Sequence, residues 1–134
     1  MFAAVAFAYA LADQTRWRIA MLVAKQTLCV CELADGLRLP QSTLSSHLAT
    51  MRASGVVEAE KIDKWVYYRL APAIVPLFGM LRKQFADSLA QDAILKEDRE
   101  RTAERVALRG QTDCLGPRRA IPPKKRESRR AVCC

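Results

Sequence analysis

The sequence predicts a mainly α-helical fold with a β-hairpin wing, a winged helix-turn-helix, on the strength of three observations. Two helical segments meet at a turn over residues 36–40. Two strand-like runs joined by a tight connection follow them. Helical spacing of apolar residues then resumes beyond residue 72. With 51% of its 134 residues apolar, the chain can form one domain with a small core.

Two helices are expected at the N-terminus. Residues 3–11 are rich in alanine, and Asp13 can cap a second helix whose apolar positions cover one broad face. The wholly apolar stretch before Asp13 lacks a basic start and is shorter than the roughly 20 residues of a membrane span. We therefore interpret it as a helix packed in the core or in a dimer interface, and not as a signal peptide.

The helix-turn-helix follows. Thr27 can serve as the N-cap of a short third helix that begins at about residue 28 or 30 and ends at residue 37. The recognition helix is expected over residues 41–53, with Gly55 as its C-cap. Its buried face is predicted by apolar side chains at helical spacing: Leu44, Leu48 and Met51.

The wing and a C-terminal helix complete the domain. Residues 56–61 and 65–70 are rich in Val, Ile, Trp and Tyr, which favours two strands of a hairpin. We expect the aromatic residues to pack the hairpin and not to stack on bases. From residue 74 a long amphipathic helix is expected to run either to about residue 90 or, through a charged segment, to residue 108.

The charge is unevenly distributed. The chain carries a net charge of +8, of which +6 lies in residues 109–134. We predict a DNA-binding and dimerisation domain over residues 1–108 and a basic, disordered, cysteine-containing tail over residues 109–134. The tail would be either solvated or a source of salt-dependent DNA affinity. The sequence pI of about 9.6 favours an anionic partner, and we expect double-stranded DNA and no membrane.

A homodimer is expected because the terminal helices carry more apolar residues than so small a domain can bury. We predict that the N- and C-terminal helices form the interface, with two DNA-reading heads on a two-fold axis. The positions concerned are Phe2, Val5, Phe7, Leu77, Phe78, Leu81, Phe85 and Leu89.

The outer face of the recognition helix carries the predicted DNA contacts. Small hydroxyl, amide and basic side chains suit base edges and phosphates in the major groove, although they would also suit a solvated face. The candidates are Gln41, Ser42, Thr43, Ser45, Ser46, His47 and Arg52. In the wing, Lys61 or Lys64 is expected to reach the DNA. Since His47 is the only histidine, a histidine zinc site is not expected.

The five cysteines do not resemble a disulfide framework, because their neighbours are too close. We interpret them as reduced thiols in the cytoplasm. Cys29 and Cys31 offer soft thiolate ligands just ahead of the recognition helix, although cysteine is also a common small buried residue. Two residues apart on a regular helix, their side chains would point about 200° apart. Both can bind one ion only if the helix is unwound there or has not yet begun.

The element order and several phrases resemble the ArsR/SmtB family of winged-helix metal-responsive repressors. The phrases are Ala-Leu-Ala-Asp-Gln-Thr-Arg at 10–16, Leu-Cys-Val-Cys-Glu-Leu at 28–33, Gln-Ser-Thr-Leu-Ser-Ser-His-Leu at 41–48, residues 48–55, and Trp-Val-Tyr-Tyr-Arg-Leu at 65–70. The resemblance covers about residues 8–90, and Cys-Val-Cys is specific to the arsenic-type branch. It implies a homodimeric repressor that leaves its operator when As(III) or Sb(III) binds Cys29 and Cys31. It implies neither an organic cofactor nor catalysis.

One position departs from the arsenic-type pattern. A third cysteine commonly follows the second by three positions, where this chain has Ala34. The resemblance implies that the first two thiols alone support release, whereas a pyramidal As(III) or Sb(III) prefers three donors. The site is therefore either a two-thiolate site or one completed at a distance by a cysteine of the same chain or its partner. The candidates are Cys114, Cys133 and Cys134.

Other functions would use the same thiols differently. The fold could sense Cd(II), Pb(II) or thiol oxidation. A metalloid reductase would need a nucleophilic cysteine in an oxyanion loop, and the sequence has no such turn. A thiol-rich metal buffer would not need the helix-turn-helix.

Overall fold

The computed structural model describes residues 2–109 and contains the predicted helix-turn-helix and wing. In chain order the elements are α1 (Phe2–Leu11), α2 (Gln14–Val23), β1 (Leu28–Cys29), α3 (Val30–Leu37), α4 (Gln41–Ala53), β2 (Val57–Ile62), β3 (Trp65–Leu70), α5 (Val75–Gln84), α6 (Ala86–Ala90) and α7 (Ala93–Ala107). The strands form an antiparallel sheet in the order β1-β3-β2, in which β2 and β3 are the wing.

The first two helices meet at a corner that Arg16 holds. Asp13 is the N-cap of α2, as predicted, and its side chain accepts the backbone N–H of Arg16 at 2.9 Å. That hydrogen bond holds the pKa of Asp13 below its usual value. The Arg16 guanidinium donates to the carbonyl oxygens of Ala10 at 2.6 Å and Tyr9 at 2.9 Å. A side chain of α2 therefore satisfies carbonyl groups at the end of α1.

Helix α3 begins at Val30, two residues later than it would with Thr27 as its N-cap. The short strand β1 pairs with β3, where Cys29 lies opposite Tyr67. The chain is therefore still extended at Cys29, which is the N-cap of α3 with φ −87° and ψ 168°. The prediction that Thr27 is the N-cap is wrong, because a strand pairing distant in the sequence outweighs the local capping preference.

Helix α4 and the wing bury the side chains that their sequences indicate. On α4 these are Leu44, Leu48 and Met51, and on β3 they are Trp65, Tyr67 and Tyr68. The C-cap of α4 is Ser54 and not Gly55. Gly55 follows it with a φ of 76°, the left-handed conformation that glycine adopts most readily after a helix.

The expectation of one continuous C-terminal helix is wrong. The chain leaves helical geometry at Phe85, where φ is −105° and ψ is 20°, and again at Asp92, where φ is −76° and ψ is 108°. Asp92 then starts α7 as an N-cap, and its side chain accepts the backbone N–H of Leu95 at 3.0 Å. A capping aspartate therefore begins a new helix inside the segment whose apolar spacing suggested continuity.

Helix α7 packs closely against α3. A Cβ atom added at Gly36 would lie 2.0 Å from Oγ1 of Thr102, so only glycine allows this approach. The buried carboxylate of Asp98 accepts hydrogen bonds from Arg18 of α2 at 2.7 and 2.8 Å, and from Arg101 of α7 at 2.8 Å. The last helix is thus attached to both α2 and α3, and it brings its basic residues to the start of the helix-turn-helix.

Candidate functional site

Cys29 and Cys31 meet at the start of α3. Their Sγ atoms are 3.0 Å apart, and both side chains are buried. Cys31 is disulfide-bonded in this structure, so the expectation of five reduced thiols is wrong for this residue, and an ion could bind its sulfur only after reduction. They can converge because Cys29 is an extended N-cap residue while Cys31 lies in the first turn of the helix. Such a pair would diverge on a regular helix. Two cysteines at this spacing can bind one ion only if the helix is unwound or has not yet begun there. The extended backbone at Cys29 meets that condition.

A fully buried carboxylate holds this turn. Glu32 accepts the backbone N–H of Cys29 at 3.0 Å, in the arrangement of a capping box. The guanidinium of Arg109 donates to both Glu32 oxygens, at 2.5 and 2.7 Å. It also donates to the backbone carbonyl of Thr27 at 2.9 Å. One ion pair therefore binds the chain on both sides of the first thiol.

The electrostatic surroundings keep Cys29 protonated. Burial, reinforced by the negative charge of Glu32, raises the pKa of the Cys29 thiol to about 12. Arg105 opposes this shift without reversing it. At neutral pH the thiol therefore carries its proton, and a metal ion that binds its sulfur must displace that proton.

Arginines of α7 line one side of the site. The Arg105 side chain donates to Oδ2 of Asp35 at 2.6 Å, and its Nη2 lies 3.6 Å from Sγ of Cys31. Arg101, one turn earlier, donates to the carbonyl of Gly36 at 2.9 Å. The sequence-based prediction did not include Glu32, Arg105 or Arg109. The usable signals were a glutamate three residues after an N-cap and arginines repeating every four residues.

The two sulfurs suit part of the coordination of a thiophilic ion. Two metal–sulfur bonds of about 2.3 Å at a right angle place the sulfurs roughly 3.3 Å apart, close to the observed separation. Within residues 2–109 no group of three or more His, Cys, Asp or Glu side chains is arranged to hold a metal ion. The other predicted donors, Cys114, Cys133 and Cys134, lie outside the described residues.

The predicted DNA-contacting side chains lie on α4 and the wing. Seven are exposed: Gln41, Ser42, Ser45, Ser46, Arg52, Lys61 and Lys64. Thr43 and His47 are half-buried, and Nδ1 of His47 is 3.8 Å from a carboxylate oxygen of Asp13. The hydroxyls of Ser45 and Ser46 donate to backbone carbonyls of α4 itself, at 2.9 and 3.0 Å. Their oxygens can still accept hydrogen bonds from outside the protein.

Arg38 adds a cation to this surface that the sequence-based prediction did not include. It ends α3 in the left-handed conformation, with φ 54°, and its side chain is exposed. The signal was a basic residue inside the turn that precedes the recognition helix.

The described part of the chain contains no helix that combines the length and apolar character of a membrane span.

A helix-turn-helix with an exposed polar second helix and a hairpin wing defines a winged-helix DNA-binding protein. A family model described as "Bacterial regulatory protein, arsR family" matches residues 13–59. The arsenic resistance transcriptional regulator ArsR1 of Pseudomonas putida is 40% identical over 103 residues, which cover 72% of this chain and 80% of that protein. The chain therefore belongs to the arsR family, whose members are DNA-binding transcription regulators and not enzymes.

Two further comparisons agree with this assignment. The arsenical resistance operon repressor of Escherichia coli is 46% identical over 65 residues, which cover 48% of this chain and 56% of that protein. A solved homodimeric winged helix-turn-helix DNA-binding domain, Mb0332 of Mycobacterium bovis, is 25% identical with a TM-score of 0.61. That match covers 68% of this chain and 85% of the solved one. The predicted family, fold class and DNA-binding role are confirmed.

Proposed function

We propose that the protein is a homodimeric repressor that leaves its operator when As(III) or Sb(III) binds Cys29 and Cys31. The observation that carries this proposal is the convergence of two buried sulfurs, 3.0 Å apart, at the first turn of α3. The names of the Pseudomonas putida and Escherichia coli relatives, which refer to arsenic and arsenical resistance, support the choice of ion.

Binding would replace oxygen ligands of the metalloid by sulfur. For each bond that forms between arsenic and sulfur, a thiol proton and a hydroxide of arsenous acid leave as water, and no oxidant is required. The bound ion and its remaining ligand need space in this buried site, so binding would displace the N-cap of α3. Because α3 packs against the recognition helix α4, that displacement would reach the DNA-reading surface.

The homodimer is supported by apolar side chains left exposed on the terminal helices. On α1, Val5 and Tyr9 are 60% and 65% exposed, and on α5 Met80 is 67% exposed. Phe85, between α5 and α6, is also exposed. Apolar surface of this kind marks a protein interface, and a two-fold arrangement would present two recognition helices to one operator.

We propose that the predicted side chains of α4 and the wing contact double-stranded operator DNA. The set is Gln41, Ser42, Thr43, Ser45, Ser46, His47, Arg52, Lys61 and Lys64, and Arg38 extends it. We further propose that residues 1–108, joined by Arg109 through its ion pair with Glu32, form the DNA-binding unit and that the basic segment beyond Arg109 adds sequence-independent affinity. A repressor with reduced thiols would act in the cytoplasm.

The decisive experiment removes both thiols. The variant Cys29→Ser with Cys31→Ser should bind operator DNA and stay bound at As(III) or Sb(III) concentrations that release the unmodified protein. Fluorescence anisotropy of labelled operator DNA measures this. Release of the variant at the same metalloid concentration would contradict the sensing proposal.

A third donor is proposed from Cys114, Cys133 or Cys134, with a two-thiolate site as the alternative. Replacing these three cysteines by serine in the full chain should lower the number of sulfur neighbours of bound As(III) from three to two. X-ray absorption spectroscopy measures that number. An unchanged count of two sulfurs in both proteins would favour the two-thiolate site.

Thiol oxidation is the second candidate, because the short distance between the Cys29 and Cys31 sulfurs also favours their direct reaction. Cd(II) and Pb(II) would use the same soft donors. Titration of a fluorescent operator complex with As(III), Sb(III), Cd(II), Pb(II) and peroxide separates these functions. Release of the operator by peroxide, and by none of the four ions, would contradict metalloid sensing and support redox sensing.

A further inference from the structure

We propose that Glu32 and Arg109 are positioning residues of the thiol pair. Their buried ion pair holds Cys29 outside helix α3, so that the sulfurs of Cys29 and Cys31 face a single ion. This inference rests on the proposed function, since it assigns a role at the same site.

The first step is the hydrogen bond between Glu32 and the ligand residue itself. The carboxylate accepts the backbone N–H of Cys29 at 3.0 Å, so it fixes the residue whose sulfur would bind the ion. Glu32 is fully buried, and a buried carboxylate is costly unless it is paired and hydrogen-bonded. Arg109 supplies that pairing with two hydrogen bonds.

The second step is that Arg109 binds on both sides of Cys29. Its Nη2 donates to the carbonyl of Thr27 as well as to Glu32. The guanidinium carbon also lies 6.0 Å from the ring centre of Tyr67, the residue that pairs with Cys29 in the sheet. The segment before α3 is therefore held by the capping carboxylate, the guanidinium and the sheet at once.

The ion pair between Glu32 and Arg109 should therefore affect the binding of one ion by both sulfurs, and not the reactivity of a single thiol. Two sulfurs bind one ion tightly only when their separation is fixed in advance, because otherwise the entropy of ordering them opposes binding. Loss of the ion pair frees the Cys29 backbone, so the second bond to the ion becomes weaker. A reagent that reacts with only one sulfur should not react more slowly, since loss of the ion pair makes the thiol more accessible.

The test uses phenylarsine oxide, whose arsenic takes two sulfurs while its oxygen leaves as water with the two thiol protons. The background is the full chain with Cys114→Ser, Cys133→Ser and Cys134→Ser, so that only Cys29 and Cys31 react. Adding Arg109→Gln or Glu32→Gln should weaken phenylarsine oxide binding by about 10- to 100-fold. Competition with a small dithiol measures the affinity. The rate of alkylation by N-ethylmaleimide should stay the same or rise.

Arg101→Gln is the matched control. Arg101 belongs to the same helix and donates to the carbonyl of Gly36, but it makes no described contact with the Cys29 segment. This variant should keep the affinity of the background protein. An equal loss in Arg101→Gln would overturn the inference, because the effect would then come from holding α7 in place.

The outcomes separate the two proposals. Unchanged affinity in Arg109→Gln and Glu32→Gln would overturn the positioning role and leave the sensing proposal standing. Failure of the background protein to bind phenylarsine oxide through Cys29 and Cys31 would contradict the sensing proposal itself. If Glu32→Gln does not fold, which a thermal melt reveals, Arg109→Gln decides the question.

Discussion

The start of α3 and the outer face of α4 belong to neighbouring helices but are built in opposite ways. At the start of α3, the sulfurs of Cys29 and Cys31 are buried and Glu32 is paired with a distant arginine. On the outer face of α4, Ser45 and Ser46 are exposed and bond to the backbone of their own helix. The proposed sensor thus depends on tertiary structure, whereas the proposed reading surface depends on one helix.

This contrast predicts which substitutions change stability and which change DNA binding. Changes near the thiols should affect stability together with the response to the inducer. Changes on the outer face of α4 should affect DNA binding and leave stability nearly unchanged. Four substitutions test the division, in order of decreasing expected effect.

The largest effect is expected for Glu32→Ala. Removing one partner of a buried ion pair leaves Arg109 uncompensated and should lower the free energy of unfolding by about 3 to 5 kcal/mol. Urea denaturation followed by circular dichroism measures this. Glu97→Ala is the control, since Glu97 is exposed and its pairing with Arg101 contributes only about 0 to 1 kcal/mol. Similar losses in both variants would remove the distinction between buried and exposed pairs.

Gly36→Ala should lower the free energy of unfolding by about 1 to 3 kcal/mol, because its Cβ would collide with Oγ1 of Thr102. Thr102→Ala removes that oxygen, so the double variant should recover most of the loss. A double-mutant cycle of urea denaturation measures the coupling. Strictly additive effects would mean that the close approach of α7 does not limit the size of the side chain at position 36.

Arg52→Gln should weaken operator binding by about 1 to 3 kcal/mol if the side chain contacts a base. If it contacts a phosphate, the slope of affinity against salt concentration should fall by about one. Stability should change by less than about 0.5 kcal/mol, since the side chain is exposed. Arg99→Gln, an exposed arginine on α7, serves as control in the same anisotropy titration. A stability loss comparable to that of Glu32→Ala would contradict the comparison.

The smallest effect is expected for Asp13→Ala, which removes the N-cap of α2 and should cost about 1 kcal/mol near neutral pH. The pKa of Asp13 is lowered in the folded protein, chiefly by the hydrogen bond from Arg16. Its contribution is therefore present above its ordinary pKa of 3.8 and is lost as the pH falls below that value. Thermal melts at a series of pH values should show the two proteins converging in acid. A difference that does not shrink as the pH falls below 3.8 would assign the effect to something other than the ionised cap.

The parts that sequence reasoning predicted are those defined by local pattern. The spacing of Leu44, Leu48 and Met51 identified the buried face of α4, and the aromatic residues of β3 identified the wing. Cys29 and Cys31 were chosen from their spacing and from family resemblance, and the structure places their sulfurs together. Their role as ligands, like the DNA contacts, stays a prediction.

The parts that sequence reasoning missed depend on residues far apart in the chain. Thr27 was chosen as the N-cap of α3 because nothing local reveals that β3 keeps Cys29 extended. The break before α7 and its return to α3 follow from contacts such as that between Arg18 and Asp98, which lie 80 residues apart. Arg109 was counted as part of a basic tail, since its partner Glu32 lies 77 residues earlier.

The attachment of α7 also sets an order of assembly. Chains emerge from the ribosome N-terminus first, so the helix-turn-helix and the wing are complete before α7 has been made. Asp98 then pairs with Arg18 of α2, and Arg109 pairs with Glu32. A nascent chain therefore has the helices of its reading head before the surroundings of Cys29 and Cys31 are complete, since these require α7 and Arg109.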